Sequence, residues 1–280
     1  MHMRRAGEWL LIDESQWPGQ WPEKWLRRLR ARDGIRQEKG LIKLHLFVEQ
    51  DDGFEPSYEE LDVCYEDDFC LVVNKPAGVA VHPSSPEDLD TLANRVAGHY
   101  VMTGQRCAVK HIHRLDLDTT GPVLYAKNEW AGLVLDEDMR NKAIDRMYVA
   151  LCSGSWRLPE QGTISAAIGR DRHHATRRRV SPTGQEAVTH YTVLESFEKA
   201  AFVQLQLETG RTHQIRVHMQ HLGHPLIGDT LYGGKPVGTF RRQALHGQRL
   251  QFMHPWSRES IQVEAGLPHD MQNLLDVLRG

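Results

Sequence analysis

The segment "AVKHIHRLDLDTTGPVLYAKN" (residues 108–128) predicts two strands joined by a polar turn. The first strand runs into "LDTTG", so Asp116 should lie near a strand end, where rigid elements often present catalytic groups. An aspartate before a turn is also a common capping residue. The segment alone therefore leaves a catalytic and a structural role open.

Composition predicts an ordinary soluble globular protein, because 40% of the 280 residues are hydrophobic and 25% are charged. No apolar run reaches the roughly 18 residues of a transmembrane helix, and the apolar N-terminal stretch is too short for a signal peptide. The four cysteines form no CxxC pair. This argues against a thiolate zinc site or a disulfide framework and favours a reducing cytoplasm.

Charge is unevenly distributed along a chain whose formal net charge is −3. Basic residues concentrate in 24–36 and 169–179, and acidic residues crowd 49–68. Either basic run alone is typical of a solvated face, but two separate runs in an acidic chain favour a polyanionic partner.

Two regions are predicted. Residues 1–56 form an N-terminal helix/strand extension that ends in a linker, with Pro22 near the start of its helix, Gly34 past its end and a strand from Leu41 to Glu49. Residues 57–280 form the main domain, with strands and helices in mixed order, which indicates an α+β fold. Its predicted helices cover 90–101, 129–144 and 211–223. A strand is predicted at 69–83, broken by the turn "KPAG", and another at 146–154, while 187–197 and 200–210 should form an antiparallel hairpin.

The stretch "ETGRTHQIR" is a candidate anion site. A Thr209-Gly210 turn should lead into a helix whose first residue is Arg211, where a guanidinium and backbone N–H groups can hold a carboxylate or phosphate. The histidines that follow, at 213, 218, 221 and 224, lack the usual metal-ligand spacing, so no metal is expected. "NKPAG" has neither the GxGxxG nor the Walker spacing, so no nucleotide cofactor is expected.

Five motifs in this order give the chain a family resemblance: "NKPAGVAVHP", "HRLDLDTTG", "RMYVALCSG", "LETGRTHQIRVHMQHLGHPLIGDTLYGG" and "ALHGQRLQFMHP". Over roughly residues 60 to 265 the chain resembles the RluA-type family of RNA pseudouridine synthases. The resemblance implies a long, bent, mostly antiparallel mixed sheet flanked by helices, with an RNA-binding cleft across it.

The resemblance also assigns roles. Asp116 takes the place of the catalytic aspartate, Tyr148 of the tyrosine that packs on uracil, and Arg211 of the arginine that pairs with the aspartate. Arg114 matches the arginine that helps displace the target nucleotide, and Ile215 the aliphatic lining of the base pocket. The neighbours His113 and Thr119 are further expected substrate contacts, and Asp118 is expected to shape the loop. Leu117 and Thr120 depart from the usual residues, which affects substrate contacts rather than chemistry.

Many members of this family carry an S4-type RNA-binding module at the N-terminus. Residues 25–47 resemble a shortened, divergent version at best, and a plain extension that packs on the catalytic domain is the other interpretation.

The activity implied is isomerisation of uridine to pseudouridine without a cofactor, by an ionised Asp116 acting on a flipped-out nucleotide. The expected partner is RNA, with large-subunit ribosomal RNA as the expected substrate and transfer RNA as the alternative, and a monomer is expected. Two rivals use the same residues: an N-glycosylase or ribosyl transferase that releases the base, and a non-catalytic RNA-binding protein.

Overall fold

The computed structural model describes residues 3–16, 23–49, 53–85 and 87–280. Pro22, expected near the start of the first helix, and Asp51 and Asp52, at the start of the expected linker, lie outside these ranges. In the ranges that are described, every helix is too short or too polar to cross a membrane.

In the described residues, the N-terminal region forms a small antiparallel sheet with one α-helix. Its strands are paired in the order β1-β2-β4-β3. The elements are β1 (Met3–Ala6), β2 (Trp9–Asp13), α1 (Glu23–Ala31), β3 (Ile35–Glu38) and β4 (Leu41–His45). The predicted helix is confirmed, and the strand predicted from Leu41 is confirmed but ends at His45. The other three strands were not predicted.

This region shares a hydrophobic core with the main domain. Trp25 and Leu29, four residues apart on α1, are both buried. The Trp25 ring lies 4.7 Å from that of Trp130, and the Phe47 ring 5.6 Å from that of Phe69. This packing is what a plain extension requires, while an S4-like character and the boundary at residue 56 stay predictions.

The main domain consists of antiparallel sheets with four helices, which confirms the α+β class. One sheet has the order β5-β6-β8-β7, a second β10-β13-β14-β9-β15-β16, and β11 pairs with β12. Its strands are β5 (Val63–Glu66), β6 (Cys70–Lys75), β7 (Lys110–His111), β8 (Gly121–Ala126), β9 (Asp145–Ser153), β10 (Gln161–Ser165), β11 (Ile168–Arg170), β12 (Arg178–Val180), β13 (Val188–Ser196), β14 (Ala200–Leu207), β15 (Leu245–Met253) and β16 (Ser260–Glu264). Its helices are α2 (Leu92–Met102), α3 (Glu129–Arg140), α4 (Gln214–His221) and α5 (His269–Arg279).

Local sequence explains several element boundaries. Thr91 and Asn94 form a reciprocal capping box at the start of α2, and Asn128 caps α3 through the N–H of Ala131. The predicted hairpin is confirmed as β13 and β14, which pair antiparallel. Helix α5 was not predicted.

The two larger sheets meet directly after the Asp116 loop. The N–H of Gly247 donates to the Thr120 carbonyl over 2.8 Å, and the Thr120 hydroxyl lies 2.8 Å from His246 Nδ1. Gly121 has a φ of 125°, and a side chain there would collide with the backbone of Gly247. Only glycine therefore lets the loop return into β8 at this junction. The expected long sheet is thus seen as two antiparallel sheets bridged at one point.

Helix α4 begins later than predicted. His213 adopts a left-handed conformation, with φ 59°, so regular helix starts only at Gln214. Arg211 therefore precedes the helix instead of opening it. The predicted glycine end is confirmed, because Gly223 follows the last turn with φ 83°.

Candidate active site

The Asp116 loop joins β7 to β8 and is held on one side by Lys75. The fully buried Lys75 ammonium donates to the carbonyl of Leu117 and to those of Pro76 and Val79, each over 2.7 Å. Burial lowers the pKa of Lys75 to about 7, but three carbonyls satisfy the three N–H donors that only the charged form carries. The "NKP" motif thus supplies a support for the loop.

Arg242 holds the same loop from the other side. Its guanidinium donates to the Asp118 carbonyl over 3.0 Å and makes two bonds, of 2.7 and 2.9 Å, to the carboxylate of Asp270 in α5. Asp118 therefore takes part in shaping the loop through its backbone. The loop is anchored to both ends of the main domain.

The Asp116 carboxylate meets the guanidinium of Arg216, which lies in α4. Arg216 Nη1 is 3.1 Å from Asp116 Oδ2, while its Nε and Nη2 donate to Asp229 over 2.7 and 2.9 Å. Burial alone would lower the pKa of Arg216, but the hydrogen bonds and charges of Asp229 and Asp116 outweigh it and raise that pKa. Asp229 is almost fully buried and Asp116 is 19% exposed, so Asp116 is the carboxylate that a ligand can reach.

The predicted ion pair between Asp116 and Arg211 is therefore wrong. Arg211 directs its Nε to the carbonyl of Glu186 over 2.8 Å, and the arginine that pairs with Asp116 is Arg216. Regular helix starts only after the left-handed His213, so Arg211 precedes α4 and bonds to the Glu186 carbonyl, while Arg216 lies within α4 and reaches the Asp116 carboxylate.

His213 lies beside this ion pair. The N–H of Arg178 donates to the Tyr232 hydroxyl over 2.9 Å, so that hydroxyl is free to donate to His213 Nδ1, also 2.9 Å away. The proton of the neutral ring then sits on Nε2, 3.9 Å from Asp116 Oδ2. Burial lowers the pKa of His213 although Asp116 opposes this, so the neutral ring is the form expected at neutral pH.

A pocket of about 280 Å³ opens between the Asp116 loop and residues 210–216. Tyr148 from β9 and Ile215 from α4 both line it and are themselves nearly buried. Burial raises the pKa of Tyr148, as does the charge of Asp116, so the neutral phenol is the form expected at neutral pH. The pocket offers an aromatic side chain, an aliphatic side chain and one reachable carboxylate.

The other predicted contact residues also line this pocket, but in different settings. Arg114 is exposed at its edge. Thr119 is buried, donates its N–H to the Asp116 carbonyl over 3.1 Å and accepts a bond from Gln243. His113 is buried and its Nε2 accepts the N–H of Leu124 over 3.3 Å. Burial lowers the pKa of His113 to about 3, so it is a neutral wall residue.

Two of the histidines that follow His213 in the motif form hydrogen bonds within the protein. His218 bonds to the Thr189 hydroxyl and the Ala166 carbonyl, and His224 to the Ser153 carbonyl. Within the described ranges, the three side chains close enough to share a metal ion are Asp67, Cys70 and His254. None of them lines the pocket, and Asp67 already accepts bonds from His254, Tyr65 and two backbone N–H groups.

Sequence reasoning missed Arg216, Asp229, Tyr232 and Lys75. A signal for Arg216 was present, because it directly follows Ile215 and belongs to the same motif as Arg211. Spacing alone did not say which of the two arginines faces the loop. Asp229 and Tyr232 lie in the quoted "GDTLYGG", where an acidic residue beside glycines is easily taken for a turn.

Comparisons with known proteins identify the family of the chain. Residues 69–221 match the model of the RNA pseudouridylate synthase family. The chain is 51% identical over 221 residues to the uncharacterized RNA pseudouridine synthase YhcT of Bacillus subtilis, covering 78% of this chain and 72% of that protein. It is 38% identical over 280 residues to ribosomal large subunit pseudouridine synthase D of Haemophilus influenzae, covering 92% and 85%.

A solved structure is also similar to this chain. The human protein RNA Pseudouridylate Synthase Domain Containing 1 superposes with a TM-score of 0.61 at 27% identity, covering 80% of this chain and 96% of that one. The family model, the relatives and the fold agree: the chain belongs to the RNA pseudouridylate synthase family, whose members convert uridine in RNA to pseudouridine.

Proposed function

We propose that this enzyme isomerises uridine in large-subunit ribosomal RNA and that Asp116 is its reacting carboxylate. The observation that carries the proposal is a reachable carboxylate, held by Arg216, at a pocket that also contains Tyr148. The relatives named ribosomal large subunit pseudouridine synthase D support the choice of RNA.

The chemistry requires an anion at the sugar carbon of a flipped-out nucleotide. The C1′–N1 bond breaks and its electron pair leaves with the uracil, while Asp116 meets the electron-poor C1′. The freed base turns against the ring of Tyr148, where stacking on an aromatic side chain is worth roughly 1–3 kcal/mol. C5 then bonds to C1′, Asp116 is released, the C5 proton is removed and N1 is protonated.

Asp116 is also our candidate for removing the C5 proton. The raised pKa of the buried Tyr148 keeps its hydroxyl protonated, which makes it a poor base. Asp229 is almost fully buried and already accepts two bonds from Arg216. Asp116 is the carboxylate that faces the pocket, so one group serves twice.

A second pocket, of about 330 Å³, adjoins the first and supports RNA binding. It is lined by Arg170 and Arg178, which face each other across β11 and β12, and by Arg211, which lines both pockets. Nη1 of Arg178 has no hydrogen-bond partner among the described residues. We assign these three arginines to phosphates of the RNA that flank the flipped nucleotide.

The test is a map of pseudouridines in total RNA from cells with and without the gene. We expect at least one large-subunit position to be lost on deletion and restored by the wild-type protein but not by Asp116→Asn. Positions lost only in transfer RNA would refute the ribosomal substrate, and abasic sites with free uracil would indicate an N-glycosylase. Full restoration by Asp116→Asn would refute the role of Asp116.

A further inference from the structure

Arg146 is a buried arginine in the pocket for which the residues around it provide no counter-charge. It lies in β9, is only 8% exposed and lines the same pocket as Asp116. Its Nε has no hydrogen-bond partner, and no carboxylate of the described residues lies within ion-pair distance of its guanidinium. Arg216, by contrast, is shared between two carboxylates.

Such a group is costly unless something else binds it. Burying a guanidinium without a partner leaves its desolvation uncompensated, and stable proteins avoid this except where a ligand supplies the acceptor. The chain makes room for this side chain: a Cβ at position 210 would lie 2.7 Å from Arg146 Nη1, so Gly210 lets the guanidinium lie against the turn. The glycine therefore leaves room for a buried guanidinium at the pocket.

The buried position of Arg146 inside the pocket determines which part of the RNA it can contact. Side chains two apart on a strand point to the same face, so Arg146 and Tyr148 both face the pocket interior. The phosphates of a continuous RNA strand must stay at the mouth, beside the exposed Arg114 and the half-buried Arg211. Only the everted base reaches as deep as the aromatic side chain.

We propose that Arg146 is a further catalytic residue, which donates hydrogen bonds to a carbonyl oxygen of the uracil and stabilises the base as it leaves. This inference rests on the proposed isomerisation. When the C1′–N1 bond breaks, the electron pair stays on the base and is shared by N1 and the two carbonyl oxygens. A preorganised guanidinium placed where this charge develops lowers the barrier, and it holds no charge partner that would have to be displaced first.

The test compares Arg146→Met with Arg249→Met. Arg249, on the neighbouring strand β15, also has an Nε without a partner but does not line the pocket. The substrate is a large-subunit ribosomal RNA transcript with tritium at C5 of uridine, and single-turnover release of tritium is measured at saturating enzyme. We expect Arg146→Met to be slowed by about 100-fold, as for loss of one oxyanion donor, with RNA affinity unchanged and Arg249→Met near wild type.

A second substrate separates leaving-group stabilisation from a structural role. Fluorine at C5 withdraws electrons, so the departing 5-fluorouracil needs less help from the protein. C5 of 5-fluorouridine carries no proton to lose, so the quantity measured on this transcript is the single-turnover rate at which 5-fluorouridine disappears, followed by chromatography of the digested nucleosides. In this rate the defect of Arg146→Met should shrink at least about tenfold. Arg146→Lys, which keeps a charge, should lose less activity than Arg146→Met and serves if the methionine variant does not fold.

Three results would overturn the inference. Equal defects on both transcripts would mean a positioning role, and weaker RNA binding with a normal single-turnover rate would mean a phosphate contact. If the wild-type protein modifies neither the transcript nor total RNA from gene-deleted cells, the proposed function is refuted and the role of Arg146 with it.

Discussion

Replacing Arg216 with methionine should abolish activity and destabilise the fold, for two separable reasons. The stability loss comes from Asp229, whose side chain is 1% exposed and would lose bonds of 2.7 and 2.9 Å. Leaving one member of a buried ion pair unpaired costs about 3–5 kcal/mol. The activity loss comes from Asp116, which would lose the guanidinium that lies 3.1 Å away.

A double-mutant cycle separates the two effects. Asp229→Leu combined with Arg216→Met removes both buried charges, so the double variant should recover most of the stability that Arg216→Met loses, with a coupling energy of about 3 kcal/mol. Its activity should stay absent, because Asp116 still lacks its partner. The free energy of unfolding is measured by urea denaturation, and activity by tritium release from C5 of uridine.

The matched control is Arg211→Ala, which removes an arginine from the same segment. Its Nε contacts only the Glu186 carbonyl in the described structure, so the free energy of unfolding should change by less than about 0.5 kcal/mol. Additive losses in the double variant would refute the buried pair as the source of instability. An active double variant would show that Asp116 works without Arg216.

Three further variants test the reacting carboxylate, the lysine that supports its loop and a carboxylate away from the pocket. Asp116→Asn should leave RNA affinity unchanged and abolish tritium release; near-normal turnover would exclude a reacting carboxylate. Lys75→Met should lower the free energy of unfolding by about 3 kcal/mol, since three carbonyls including that of Leu117 lose their donor, and an unchanged urea midpoint would contradict this. Asp67 has a pKa of about 2, because bonds from His254 and backbone N–H groups outweigh the effect of burial. Since the unfolded value is about 3.9, this carboxylate should contribute about 2 kcal/mol above pH 5 and lose it as pH falls towards 2. Asp67→Asn should therefore be less stable at pH 7 and match wild type near pH 2; a constant difference across this range would count against the assignment.

Elements with clear periodicity could be predicted from the sequence. Asp116, Tyr148 and Ile215 were also predicted as site residues, and all three line one pocket in the structure. The sequence did not identify the arginine that pairs with Asp116. Both arginines of the "GRTHQIR" motif were available, and the choice depends on which of them the folded backbone brings to the Asp116 loop. Motif spacing therefore left the partner of Asp116 ambiguous, and the folded structure identifies it as Arg216.

The N-terminal sheet was missed for a different reason. Strands β1 and β3 are mostly exposed, so their sequences carry little apolar alternation from which a strand is recognised. The unpaired state of Arg146 was equally hidden, because the absence of a counter-charge is a property of all its neighbours in space. Such features become visible only once the chain is folded.

The guanidinium of Arg242 donates hydrogen bonds to the Asp118 carbonyl and to the Asp270 carboxylate, so it connects the Asp116 loop to helix α5. Proteolytic removal of this helix, or a tag that unfolds it, would remove the Asp270 carboxylate that holds Arg242. The loop that carries Asp116 would then be held less firmly. Catalytic competence would then depend on a helix whose residues do not line the pocket.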